Sequence, residues 1–283
     1  MASTFELSIG LIESALILAG LGCVIWLFFS AGGRALRAQP AALPAWNIAV
    51  SEFLFLCWLV LALGFFGQVL LRVTLGPVLH RQPEGDTLEL ILYGSMFQFG
   101  AILAWVCARW LARRRSGDTE PARPDSPLLA PPAILRAAVL TFLTVVPLVG
   151  GVGFYWQALL EAVHLPTERQ ELVDLFVGAK SPVLLGFMVL LALVIAPISE
   201  ELVFRAGVFR FLRTRMPRGV AFVASAGLFA LFHFNWVSFL PLFILGVLFA
   251  AAYERTGRVA VPMLAHALFN LNTLLLVLSG VGK

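Results

Sequence analysis

Charged residues are scarce in this chain, in which Asp, Glu, Lys and Arg make up only 13% of the 283 residues. Soluble globular proteins contain about 25% charged residues, which help to cover their water-exposed surface. Here 60% of the residues are hydrophobic, and the mean hydropathy is +0.93. This composition excludes an ordinary soluble domain and indicates a protein that lies largely in lipid.

Cysteine and histidine are also rare, with three Cys and four His residues. Cys23, Cys57 and Cys107 lie in apolar runs without the spacing of metal ligands, and we interpret them as packing residues. The sequence lacks HExxH, the helix-borne zinc motif of many metalloproteases. The net charge of +4 comes mainly from residues that flank apolar runs, so it gives no reason to expect nucleic acid as a partner.

In place of charge, the chain has a series of long apolar runs separated by short polar stretches. A helix needs about 20 such residues to cross a bilayer, and it satisfies its backbone hydrogen bonds internally. The sequence therefore predicts an all-α polytopic membrane protein with about eight transmembrane helices, the last four of which form a core that holds a cluster of polar residues. The predicted spans are Leu7–Ser30, Ile48–Leu71, Leu88–Leu111, Ile134–Trp156, a span from Val183 that continues past Arg205, Val220–Phe234, Phe239–Tyr253 and Val259–Val281.

The Lys and Arg residues concentrate in alternate loops, namely those after predicted spans one, three, five and seven. Since basic residues favour cytoplasmic loops, we expect both termini outside and a location in a bacterial inner or plasma membrane, with the lipid bilayer as a partner. Residues 1–115 form the predicted N-terminal three-span region. Residues 116–132, which are rich in Pro and charge, form a predicted cytoplasmic linker, and residues 133–283 form the predicted core.

Ionisable residues inside apolar spans are costly and are candidates for function. The fifth span contains two adjacent carboxylates, Glu200 and Glu201, followed by Arg205. On a helix Glu201 and Arg205 are spaced i, i+4 and can form an ion pair on one face, whereas Glu200 lies about 100° away and lacks that partner. By itself this motif is also compatible with a solvated helix end.

Two further motifs place His residues on later spans. His233 follows Phe229 by four residues, and it lies about as far after the predicted turn at Pro217 as Glu200 lies before it, so an antiparallel hairpin brings the two together. His266 and Asn270 are spaced i, i+4 and share a helix face. Each motif could instead be an interhelical hydrogen-bond pair, but their proximity in sequence favours one shared site.

In this order along apolar spans, EExxxR, FxxxH and HxxxN resemble the motifs of the CAAX-protease and bacteriocin-processing family of intramembrane endopeptidases. The resemblance covers about residues 180–280. It implies hydrolysis of a peptide bond in a membrane-associated, prenylated or leader-type peptide or protein, at a site within the membrane that opens to the cytoplasmic side. By this resemblance Glu200, His233, His266 and Asn270 are catalytic, Glu201 and Arg205 support them, and residues 133–283 are an intramembrane protease core.

Two mechanisms stay open from the residues alone. In the first, Glu200 is the general base for a water molecule, and His and Asn side chains donate hydrogen bonds to the oxyanion. In the second, Glu200, His233 and His266 bind Zn or another divalent metal with water as the fourth ligand, since two His and one Glu are a catalytic zinc set. The alternative function is a non-enzymatic membrane transport, scaffold or immunity-type protein with the same polar cluster.

Overall fold

The computed structural model describes residues 4–81, 85–115, 130–167, 175–176, 178 and 181–280. Within these ranges the regular structure is helical and contains no strand. The predicted fold class, an all-α polytopic membrane protein, is therefore confirmed. Most of the predicted linker, residues 116–129, lies outside the described residues.

The helices are numbered here along the chain, and the predicted spans correspond to the eight longest of them with ends that shift by a few residues. Two short helices, α2 and α4, follow the first and second spans and have no counterpart in the sequence prediction. The helices are α1 (Thr4–Phe29), α2 (Ala31–Ala38), α3 (Val50–Thr74), α4 (Gly76–Leu79), α5 (Gly85–Arg115), α6 (Pro131–Ala162), α7 (Pro182–Arg215), α8 (Arg218–Leu231), α9 (Trp236–Thr256) and α10 (Ala260–Ser279).

Among the described residues, seven helices are long and apolar enough to cross a membrane. The remaining apolar helix, α8, has 14 residues, which reach only about 21 Å at 1.5 Å per residue. The total of eight spans therefore stays a prediction, since it depends on how far α8 penetrates. The early end of α8 places His233 in a turn just beyond it.

Large apolar side chains cover the outside of the helices, as expected for a surface that contacts lipid. In the apolar windows of the seven long helices, only 6% to 28% of the residues are buried inside the protein. A soluble protein rarely exposes apolar patches of this extent. Most of the buried hydrophobic residues lie in the second half of the chain.

The main core cluster lies between α6, α7, α8, α9 and α10. Phe142 and Val145 of α6, Phe204 of α7, Phe229 of α8 and Phe249 of α9 pack together there. In the N-terminal region, α3 packs mainly against α5, and α5 contacts α7. The polar motifs predicted on the later spans thus lie on helices that share one packed centre.

Helix α7 departs from α-helical hydrogen bonding at two π-helical segments, Leu191–Ile195 and Glu201–Phe209. The first segment precedes Pro197, which lacks an N–H donor and therefore cannot bond to a carbonyl one turn earlier. The N–H of Ala196 bonds to the carbonyl of Leu191 instead. Such π-turns often occur at functional sites, and here they flank Glu200.

Two glycines, Gly64 and Gly100, lie at a close contact between helices α3 and α5. A Cβ atom added at Gly100 would lie 2.6 Å from the backbone N of Gly64, whereas one added at Gly94, on the same helix, would meet nothing within 4 Å. We expect Gly100→Ala to destabilise the helix pair by about 1–3 kcal/mol, the usual cost of overpacking. Gly94→Ala is the matched control and should leave the thermal melting temperature in detergent unchanged or slightly raised. Equal melting temperatures for the two variants would contradict this packing.

The predicted orientation can be tested independently of the site. With both termini outside, a periplasm-active reporter fused at Lys283 should be active, and the same reporter inserted at Arg123 should be silent, because most basic loops then lie in the cytoplasm. A cytosol-active reporter should give the opposite pattern. A cytoplasmic C-terminus would contradict the orientation together with the count of eight spans.

Candidate active site

Three helices bring Glu200, His233 and His266 together. Glu200 lies in the middle of α7, His233 lies just after α8, and His266 lies in the second turn of α10. The Oε2 atom of Glu200 is 4.0 Å from Nε2 of His233 and 3.8 Å from Nε2 of His266. Side chains that are far apart in sequence therefore meet within the reach of a single water molecule.

The second nitrogen of each imidazole is occupied by a protein acceptor. Nδ1 of His233 lies 2.8 Å from the carbonyl oxygen of Phe229, and Nδ1 of His266 lies 3.0 Å from Oε1 of Glu201. Carbonyl and carboxylate oxygens accept but do not donate, so we assign the proton to Nδ1 in both residues. In the neutral imidazoles, both Nε2 atoms then carry a lone pair toward Glu200.

The Oε2 atom of Glu200 is buried and has no hydrogen-bond partner among the described residues. The side chain as a whole remains 22% exposed, and that of His233 is 24% exposed. Three acceptors thus surround one small volume without a donor between them. A water molecule, a proton or a cation at this position would interact favourably with the three acceptors. It would lie beside two side chains that are partly exposed.

Glu201 has a different environment from its neighbour, since its side chain is fully buried. Its Oε1 atom accepts a hydrogen bond from Arg205 at 2.8 Å and another from Nδ1 of His266 at 3.0 Å. The predicted Glu201–Arg205 pair is therefore present. In addition, Glu201 fixes the ring orientation and the tautomer of His266, which sequence reasoning missed because this contact joins α7 to α10.

Aromatic rings surround the buried guanidinium of Arg205. Its Cζ atom lies 4.3 Å from the ring centroid of Phe229 and 5.3 Å from that of Phe249. The faces of aromatic rings attract cations, and the attraction is larger where water is excluded. These rings and Glu201 hold Arg205 as a fixed positive charge beneath the site.

Asn270 hydrogen-bonds to helix α7 and not to the trio of Glu200, His233 and His266. Its Nδ2 donates to the carbonyl oxygen of Ala192 at 2.8 Å. The usual backbone donors to that carbonyl are unavailable, because the N–H of Ala196 bonds to Leu191 and Pro197 has no N–H. Asn270 thus caps the π-helical distortion that precedes Glu200, and its catalytic role stays a prediction.

Two further polar contacts between helices could not be found by motif. Ser225 of α8 donates to the carbonyl of Phe204, which lies within the second π-helical segment, at 3.1 Å. Asn272 of α10 donates to Glu13 of α1 at 2.9 Å. Their only sequence signal is a polar residue in an apolar run, which does not identify a partner on another helix.

Within the part of the chain that the structure describes, no group of three or more His, Cys, Asp and Glu side chains is arranged as a metal site. Ligands about 2.1 Å from a tetrahedral zinc ion are about 3.4 Å from one another, and the separations from Glu200 here are 3.8 and 4.0 Å. The donor types fit zinc, and the separations are a few tenths of an ångström longer than in a closed tetrahedral site.

Comparison with known proteins places a family match directly over this site. Residues 182–272 match the family described as "Type II CAAX prenyl endopeptidase Rce1-like". The chain is 36% identical over 103 residues to the "Membrane-embedded CAAX protease MroQ" of Staphylococcus aureus (strain USA300), a stretch that covers 34% of this chain and 40% of that protein. It is also 31% identical over 83 residues to the "Putative membrane peptidase YdiL" of Bacillus subtilis (strain 168), covering 29% of this chain and 34% of that protein.

These matches span well under half of the two curated relatives' length. No solved structure matches the chain. Helices α1 to α6 lie outside the family match, which begins at residue 182. The matched segment nevertheless contains every residue of the three motifs, and the resemblance to the CAAX-protease family is therefore confirmed over residues 182–272 of this integral membrane protein.

Proposed function

We propose that this chain is an intramembrane endopeptidase that hydrolyses a peptide bond in a membrane-associated peptide or protein. The observation that carries the proposal is the approach of the partly exposed Glu200 to Nε2 of both histidines, at 4.0 and 3.8 Å. A carboxylate and imidazole lone pairs around one water-sized space are suited to general-base activation of a water molecule. The family match over residues 182–272 supports the same reaction class.

In the proposed mechanism, Glu200 removes a proton from a water molecule that attacks the scissile carbonyl carbon. The water donates its second hydrogen to Nε2 of His233, whose orientation is fixed by the bond from Nδ1 to Phe229. Since Glu200 and His233 accept both hydrogens of the water molecule, a lone pair on its oxygen points toward the substrate. Such positioning and proton transfer each reduce the barrier without any covalent enzyme intermediate.

His266 can relay the proton that Glu200 removes from the water molecule. Its Nε2 lies 3.8 Å from Oε2 of Glu200, and its Nδ1 is held by Glu201 at 3.0 Å. The proton passes from Glu200 to Nε2, where the lone pair of the neutral imidazole accepts it. The resulting imidazolium donates a hydrogen bond toward the oxyanion and then protonates the leaving amine.

Asn270 supports this arrangement through the backbone of α7. By bonding to Ala192 it stabilises the distorted turn that precedes Glu200. Its amide has a second N–H, which can donate to the oxyanion when substrate is bound. The four residues predicted from the motifs thus have proposed roles as base (Glu200), water-positioning acceptor (His233), acid (His266) and oxyanion donor (Asn270).

Zn or another divalent metal remains the alternative proposal for the same residues. Glu200, His233 and His266 would hold it if the side chains closed by a few tenths of an ångström, and it would supply a Lewis acid for the bound water. The metal-free mechanism is preferred here only because it uses the observed separations directly.

The test is cleavage of membrane-anchored reporter peptides by the purified chain in liposomes, with products identified by mass spectrometry. We expect cleavage, and the metal-free mechanism predicts the same rate after dialysis against a strong chelator. Loss of activity on chelation with recovery on adding Zn would replace it by the metal mechanism. Failure to cleave any reporter, together with substrate flux across the bilayer, would favour the transport alternative.

A further inference from the structure

An extended segment crosses the ends of the core helices outside the family match. This segment, residues 39–49 between α2 and α3, is called the strap here. Arg210 of α7 donates through Nε to the carbonyl of Pro44 at 3.3 Å, and Trp46 N donates to Oγ1 of Thr214 at 2.9 Å. Arg215 donates to the carbonyls of Trp46 and Ile48.

The strap is also attached to the end of α9. The backbone N–H groups of Ala42 and Leu43 donate to the carbonyl of Glu254 at 3.1 Å. Arg255 donates to the carbonyls of Leu36 and Gln39. On the strap, these contacts use mainly backbone groups, so the strap is held largely independently of its side chains.

A cavity of about 270 Å³ lies between the strap and the core. This is several times the roughly 30 Å³ that one water molecule occupies in the liquid, and it is large enough for a phosphate group. The strap contributes small or apolar residues and the core contributes polar ones. The lining residues are Ala41, Leu43, Pro44, Ala45, Arg210, Arg213, Thr214 and Glu254.

The charge of this cavity is positive. Among the described residues, Glu254 is the one carboxylate that lines the cavity, and it is paired with Arg213 at 2.6 Å and with Arg218 at 2.8 Å. Two guanidinium groups therefore share one buried carboxylate, which leaves an excess of positive charge that favours an anion.

Arg213 has donors to spare. Its Nε binds Glu254, and the structure gives its terminal amino groups no acceptor among the described residues. The side chain is 34% exposed. Arginine presents its donors as a planar fork that matches phosphate oxygens, so a ligand in the cavity can be held by two N–H groups at once.

We propose that the strap cavity binds a phosphate group, supplied either by the head group of an anionic lipid or by a soluble phosphate. The cavity lies where α7 ends at Arg215 and α8 begins at Arg218, and exposed Met216 and Val220 flank Arg218 in sequence. Basic pockets at such helix ends suit lipid head groups, whose chains pack on neighbouring apolar residues. Because the strap and core each supply part of the lining, the bound phosphate joins the N-terminal region to the core.

The experiment measures thermal melting of the full chain with two probes. One is inorganic phosphate titrated into the protein in detergent, and the other is reconstitution into phosphatidylcholine bilayers with or without phosphatidylglycerol. Arg213→Gln removes the free donors, Ala45→Phe fills the cavity while keeping every charge, and Arg109→Gln removes an exposed charge on α5 outside the cavity. We expect the first two variants to need about ten times more probe for the same rise in melting temperature. A tenfold change in affinity corresponds to the loss of about one charge-assisted hydrogen bond.

Stabilisation only by phosphatidylglycerol identifies a lipid head group as the ligand, and stabilisation by inorganic phosphate alone identifies a soluble one. Both results support the site if Arg109→Gln behaves like the unchanged protein. Two results would overturn it. One is the absence of stabilisation by either probe, and the other is an equal loss in all three variants, which would indicate attraction to the basic surface as a whole.

Discussion

Glu200→Gln should give a folded protein that cleaves its reporter about 10³-fold more slowly. The amide keeps the size of the side chain but cannot accept the proton of the attacking water, and general-base catalysis contributes about 10²–10⁴-fold. Because Glu200 is partly exposed and its Oε2 has no hydrogen-bond partner among the described residues, the substitution breaks no hydrogen bond of that atom and keeps the volume of the side chain. The melting temperature should therefore stay close to that of the unchanged protein.

Glu13→Gln is the matched control for this prediction. Glu13 also lies in an apolar helix, and its carboxylate accepts a hydrogen bond from Asn272, which a Gln carbonyl can replace. Its activity and melting temperature should both be retained. Normal cleavage by Glu200→Gln would refute the proposed mechanism in its metal and metal-free forms alike.

Glu201→Gln should lower both stability and activity, in contrast to the substitution at Glu200. Glu201 is fully buried and is the counter-charge of Arg205, which is 1% exposed. Removing one partner of a buried ion pair costs about 3–5 kcal/mol. The carboxylate also positions His266, so cleavage should fall even in the fraction of protein that remains folded.

A second variant separates these two roles. In Glu201→Gln combined with Arg205→Met, the unpaired buried charge is gone, and Met can pack between Phe229 and Phe249. The melting temperature should recover substantially while cleavage stays low, because Nδ1 of His266 still lacks its carboxylate acceptor. The pH dependence of cleavage should also change from that of the unchanged protein. Full recovery of activity in the double variant would show that Glu201 is purely structural.

Local geometry explains why parts of the site could be predicted without a structure. The pairing of Glu201 with Arg205 follows from their i, i+4 spacing, and the observed 2.8 Å separation agrees with it. The approach of Glu200 to His233 follows from nearly equal chain lengths on both sides of Pro217, since a tight turn between two helices leaves few other registers. The separation of 4.0 Å agrees with this geometry.

Contacts between distant helices could not be predicted in the same way. Glu201 and His266 are separated by 65 residues, and Asn270 and Ala192 by 78. Helical periodicity gives the face of one helix but not its rotation or depth against another. The motif spacing therefore distinguished the environments of Glu200 and Glu201. It did not reveal that Glu201 also hydrogen-bonds to His266 and fixes the orientation of its ring.

The sequence by itself determined that this protein is a bundle of membrane helices with a polar cluster in its second half, because a bilayer requires long apolar helices and makes each buried charge conspicuous. Only the tertiary structure decided which atoms meet. In the tertiary structure both imidazole lone pairs lie beside Glu200, and Asn270 hydrogen-bonds to a π-helical turn. The strap lies over a basic cavity. These features depend on how helices rotate and approach one another, and packing across the whole bundle sets that geometry.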